Sequence, residues 1–265
     1  ELMVNKLIAS VQTNRSEYRT RAQTLLIEFL LRRGEALLRD KKPDLATKEY
    51  RKVIAIDPVS INAHRGLIDS AHLAGNLNEL RHYYEDQASD HSQSAEWRYI
   101  YAYALTYEID ACDSIGCRLG AIESAIDEVL AARSLNSQIL QIHQTLGWLD
   151  LQLGYWLKRR EKSGSLVAGV RRRWNILKGT FGAADPNWLM VGVDAFQTAY
   201  FLAKPESIEQ ASIAQNLGQA FYELGNYQKS LGYFMQRIRM LPVIPMRDPK
   251  AEGFLWRRAG RAAFQ

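Results

Sequence analysis

This chain of 265 residues is poor in the features that usually announce chemistry, and each shortage excludes something. It has two cysteines, Cys112 and Cys117, and with only two thiolates and His143 far off in sequence there is no zinc signature. The other histidines, at 64, 72, 82 and 91, are scattered as well, with no H-E-x-x-H among them. GAADPN has no Lys, and SGSLVAG has no Lys-Ser/Thr pair, so neither is a phosphate loop. Ser163 and Ser165 have no His or Asp partner set by spacing. The expectation is a non-catalytic chain with no cofactor and no metal. Long apolar runs are missing too: the best candidate, Thr24 to Leu31, is interrupted by Glu28, so no membrane span is expected. The opening ELMVNKLIAS lacks the basic-then-apolar layout of a signal peptide. The seven prolines, at 43, 58, 186, 205, 242, 245 and 249, fall between helical patterns rather than inside them.

What the chain does have is apolar residues at helical spacing, within an ordinary balance of 47% hydrophobic and 24% charged residues. The clearest stretch is Ile208 to Pro242. Ile213, Leu217, Ala220, Phe221 and Leu224 recur at three- and four-residue steps. Gly225-Asn226 ends that helix, because Gly tolerates a left-handed C-terminal cap. Tyr227, Leu231, Phe234, Ile238 and Leu241 form a second stripe, which Pro242 stops. The short link makes the helices antiparallel, and Gly218 lets them approach closely.

This pattern resembles a tetratricopeptide repeat, on Ala214, Leu217, Gly218, Phe221, Gly225, Ser230, Phe234 and Pro242. It departs from the usual repeat at Ala214, often Trp, and at Arg237, usually Ala. Leu30, Gly34, Leu37, Ala46, Tyr50, Val53 and Pro58 match a second time. Gly34 to Pro58 and Gly218 to Pro242 are both 24 residues, so the two copies share one register. The resemblance implies an all-α fold, a right-handed superhelix of antiparallel helix pairs forming one repeat domain over 1–265. Its clear repeats are 27–60 and 211–244. Degenerate pairs are expected at 61–90, 94–134 and 140–178, a helix at 187–203, and a truncated repeat at 253–265. Residues 2–11 read as a short helix. The fourth pair has Leu146-Gly147 placed like Leu217-Gly218, with a basic return helix from Tyr155. Because the pattern breaks off inside a repeat, with Trp256, Gly260 and Ala263 placed as in a first helix, the chain reads as part of a longer polypeptide. Its last helix would be covered by the continuing polypeptide or by self-association.

In such a family the concave groove binds a peptide or helix of a partner protein. Leu31 and Glu35 stand where some members carry a carboxylate clamp of Lys and Asn, so a chaperone-tail clamp is not expected. Gln215, Gln219, Arg257 and Arg261 should face the groove and bond a peptide backbone or acidic side chains. The net charge of +5 is uneven: Lys158 to Lys178 holds eight basic residues and one acid. Its Lys158, Arg159, Arg160, Lys162, Arg171, Arg172 and Arg173 read as a solvated face, an anionic-partner site or a nucleic-acid site. The chain is accordingly read as a partner-binding scaffold. The alternatives are an anionic-polymer or nucleic-acid binder, and the regulatory repeats of a larger enzyme. Cys112 and Cys117 share one polar insertion, 108–118, as a disulfide, as free thiols or as a metal pair; a disulfide would favour an extracytoplasmic, envelope location.

Overall fold

The computed structural model describes residues 16–160, 188–240 and 249–264. Among the described residues the regular structure is entirely helical. The short helix expected over 2–11 lies outside them. Contacts divide the chain into two compact units, Glu1–Tyr107 and Glu108–Gln265.

The first unit contains α1 (Ser16–Arg39), α2 (Pro43–Ile56), α3 (Ile61–Ala74), α4 (Leu77–Asp90) and α5 (Ala95–Leu105). The chain turns between α1 and α2 through Lys41, at φ 58. Pro43 then opens α2, where its fixed φ suits the first turn and its missing N–H is not needed. Ala46, Tyr50 and Val53 are buried along one face of α2, as a period of 3.6 requires. Val53 packs with Leu26 and Leu30 of α1 and Ala63 of α3. Tyr50, 1% exposed, sits in a slot made by two glycines. A Cβ on Gly34 would lie 2.6 Å from Tyr50 Cζ, and one on Gly66 would run into the same ring. Burial pushes the Tyr50 phenol above its usual range, and Glu35 adds to this.

The second unit contains α6 (Glu108–Ala111), α7 (Ile115–Leu135), α8 (Leu140–Arg160), α9 (Trp188–Leu202), α10 (Ile208–Glu223), α11 (Tyr227–Arg239) and α12 (Pro249–Phe264). The α10–α11 hairpin has the closure read from its sequence. Gly225 takes φ 74, its N–H donates to the Tyr222 carbonyl, and the Asn226 N–H donates to the Phe221 carbonyl. Gly75, at φ 76, closes α3 with the same pair of bonds, to His72 and Ala71. Phe234 lies against Gly218, where a Cβ would come within 2.8 Å of the ring. Ser230 donates from its hydroxyl to the Gly218 carbonyl at 2.8 Å, a buried bond across the hairpin.

The fourth pair differs from its sequence reading. Gly154 does not break the helix: α8 runs unbroken from Leu140 to Arg160. Leu149, Leu153 and Leu157 carry the buried stripe past it, which outweighs the roughly 1 kcal/mol that glycine costs inside a helix. The partner of α8 is α9, not a basic segment starting at Tyr155. Gly147 and Gly192 meet where these helices cross, a Cβ on either lying about 3 Å from the other's carbonyl oxygen, and Phe196 covers Gly147. Glycine and ring are 16 residues apart in α1–α2 and in α10–α11, but 49 apart here. The difference is an insertion between the two helices, and it includes the basic stretch.

Candidate partner-binding face

The first helices of the first unit, α1, α3 and α5, neighbour one another in space. A step of 34 residues carries Leu31 and Glu35 on α1 to Arg65 and Asp69 on α3, and again to Tyr99 and Tyr103 on α5. These positions share one side of their helices, since i and i+4 lie on the same face.

On this face Asp69 is the hub. Its Oδ1 accepts from the Tyr103 hydroxyl at 2.9 Å and from the Tyr107 hydroxyl at 2.6 Å. The half-buried Arg65 places its guanidinium 4.4 Å from the centre of the Tyr103 ring, within cation–π range. Burial works against the charge on Arg65, but Tyr99, Tyr103 and Asp69 outweigh it and hold the group above its ordinary range. Burial pushes the Tyr103 phenol up to about 12; Arg65 opposes the rise and Asp69 adds to it. Tyr107 is raised by burial, then by Tyr103 and Asp69. Both phenols therefore keep their protons at neutral pH and act as donors. Tyr99 stacks beside Tyr103, and His72, a turn beyond Asp69, lies 4.4 Å from the Tyr107 ring. The result is a fixed cation set among aromatic rings, next to a carboxylate already engaged by two phenols.

Behind this face His64 is buried, with Nε2 2.9 Å from the Pro58 carbonyl and Nδ1 2.9 Å from the Tyr84 hydroxyl. An Nε2–H donating to the carbonyl leaves Nδ1 to accept from Tyr84, which makes this a neutral imidazole. His143 repeats the first bond, to the carbonyl of Ser137, also six residues earlier. Both residues serve the start of their helices.

The residues singled out from sequence lie elsewhere. Gln215 and Gln219 are half-buried on α10, and Gln219 donates to Glu223 one turn along its own helix. Arg257 and Arg261 are exposed on α12. Lys158, Arg159 and Arg160 form the last turn of α8, while Lys162, Arg171, Arg172 and Arg173 lie outside the described residues. Cys112 and Cys117 are joined as a disulfide, with Cα atoms 5.6 Å apart, and Ser114 between them caps α7 by accepting from the Cys117 N–H. Among the described residues no three His, Cys, Asp or Glu side chains gather as a metal site would need. No described helix is long and apolar enough to cross a membrane. The Arg65–Asp69–tyrosine cluster was missed because its repeat lacks the usual glycine, Ile68 standing where Gly34 stands. Counting 34 from Leu31 and Glu35 would have found it.

Comparison with solved structures settles the architecture. TTC0263, a thermophilic TPR protein of Thermus thermophilus, aligns with a TM-score of 0.58 at 13% identity, over 90% of this chain and all of that one. The fold is that of the tetratricopeptide repeat. A monomeric variant of IFIT1, solved with m7Gppp-AAAA, aligns at 0.54 and 15% identity, over 86% of this chain and 43% of the other. YrrB, described as a TPR protein with an unusual peptide-binding site, is similar only at a TM-score of 0.40 and 14% identity, over 80% of this chain and 85% of YrrB. No protein-family model matches the sequence, and no curated protein matches it.

Proposed function

We propose that the chain is a protein-binding scaffold, and that the face of α1, α3 and α5 takes an extended or helical segment of a partner. The observation behind this reading is the Arg65–Asp69–Tyr103–Tyr107 network. Arg65 is held in place by a stacked ring and a neighbouring carboxylate, so little side-chain entropy remains to be lost when it pairs with an acidic group of a ligand. The tyrosines beside it offer flat, amphipathic area that binds at low entropic cost. Arg65→Glu should weaken capture of cross-linked partners at least about tenfold, the scale of one lost charged pair. The circular dichroism melt should move little, because Arg65 is not part of the apolar core. Unchanged capture would sink the reading.

Gln215, Gln219, Arg257 and Arg261 occupy the matching repeat positions in the second unit and would extend such a surface. A second reading rests on the charge of Lys158 to Lys178, including Lys162, Arg171, Arg172 and Arg173: an anionic-partner site, with salt-sensitive retention on heparin as its test. The Cys112–Cys117 bond supports an oxidising, extracytoplasmic compartment.

A further inference from the structure

One side of α12 has no counterpart to the packing of the helix that it repeats. An offset of 42 residues carries Ile213, Leu217 and Ala220 of α10 onto Leu255, Ala259 and Ala262. That trio is buried in both helices. The same offset carries Ala214, Gly218 and Phe221 onto Trp256, Gly260 and Ala263. In α10 this second trio is buried, with Phe234 of the return helix seated on Gly218. In α12 it is open. Trp256 is 54% exposed, Phe264 one turn beyond Gly260 is 94% exposed, and a Cβ on Gly260 would meet nothing within 4 Å. Arg257 and Arg261 are exposed on the adjoining edge, and neither forms an ion pair among the described residues.

We propose that this face docks an amphipathic helix of a partner protein, one that seats an aromatic ring on Gly260 between Trp256 and Phe264 and brings acidic side chains to Arg257 and Arg261. Three hairpins of this chain specify the ring. Tyr50 covers Gly34, Phe196 covers Gly147 and Phe234 covers Gly218, each from a facing helix. Charge specifies the rest. From Gly253 to Phe264 the helix carries Arg257, Arg258 and Arg261 and no acid, so a second α12 would bring like charges together. The chain's own return-helix sequence in α11 is cationic as well, with Lys229, Arg237 and Arg239.

The test uses the full chain and a fluorescein-labelled peptide with the α11 sequence, Tyr227 to Arg239, altered by K229E, R237E and R239E. Anisotropy should show saturable binding. The affinity should fall at least about tenfold when the peptide also carries F234A, the scale of one lost anchor. It should fall as far when the chain carries Gly260→Leu, which fills open space and leaves the fold intact, or Trp256→Glu. Arg257→Glu with Arg261→Glu should invert the preference, so that the unaltered cationic peptide binds better. Absence of binding at about 100 μM, where a contact of even modest affinity would register, overturns the proposal. So does binding that Gly260→Leu and Trp256→Glu leave unchanged. Sedimentation of the unliganded chain gives the remaining outcome: a dimer that Gly260→Leu dissolves would mean that a second copy is the occupant, and the proposal fails.

Discussion

Two hairpins of this chain set an aromatic ring against a glycine 16 residues earlier, and they hold it differently. In α1–α2 the ring of Tyr50 has a glycine on each side, Gly34 in its own hairpin and Gly66 in the next first helix. In α10–α11, Phe234 has Gly218 on one side, while on α12 it meets Leu255 and Ala259. The second hairpin also has a buried hydroxyl, Ser230, bonded to the Gly218 carbonyl, where α2 has Ala46. One geometry is thus reached by backbone closeness on two sides in the first case, and by closeness on one side plus a hydrogen bond in the second. The repeat pattern specifies the ring and its first glycine; what surrounds the ring is settled by the neighbouring repeat.

The comparison can be broken most sharply at the ring. Tyr50→Ala should cost about 3–5 kcal/mol, as truncation of a buried aromatic does. Unit one should then melt at least about 10 °C lower, at several degrees per kcal/mol for a domain of this size. Tyr50→Phe, which keeps the ring, should lose far less in the same scan. If the two variants melt together, the slot contributes nothing through packing. Ser230→Ala should cost about 1–2 kcal/mol in urea titration, since it leaves the buried Gly218 carbonyl without its donor. The matching position Ala46 has no such bond to lose, so the effect belongs to the second hairpin alone.

A smaller effect comes from His64, which belongs to the first unit. Burial lowers its pKa, while the Pro58 bond and Asp57 pull the other way. The native state therefore holds the ring neutral, whereas the unfolded chain takes up a proton near the usual value of about 6.5. Stability is complete above that value and falls as pH drops toward the depressed native pKa. His64→Gln should flatten this dependence between about pH 7 and pH 5. An unaltered slope in urea midpoints would show that His64 is not the group responsible.

Much of the fold was legible because the repeat writes both of its helices in one short stretch. Gly34 with Tyr50 and Pro58, and Gly218 with Phe234, show small and large residues in complementary places, and close packing leaves few alternatives. The α8–α9 pair was not legible for the opposite reason. Its ring, Phe196, lies 49 residues from Gly147, and no local period connects them. Gly154 looked like a stop, yet a glycine ends a helix only where the chain adopts positive φ, as Gly75 and Gly225 do. The candidate face was hidden because Arg65, Asp69 and Tyr103 are linked through space, not through periodicity within one helix. Apolar stripes show which side of a helix is buried; they do not show which polar groups meet on the other side.

The central claim is that glycines at one repeat position act as sockets for a facing helix, filled at Gly218 and open at Gly260. The most direct test is the urea unfolding midpoint of the second unit in Gly218→Ala and in Gly260→Ala. At Gly260 the methyl enters open space, and removing a helix-interior glycine should stabilise by about 0.5–1 kcal/mol. At Gly218 the same methyl meets the ring of Phe234, and overpacking of about 1–3 kcal/mol should outweigh that gain. Opposite shifts, downward at Gly218 and upward at Gly260, are the predicted result; two upward shifts would contradict it.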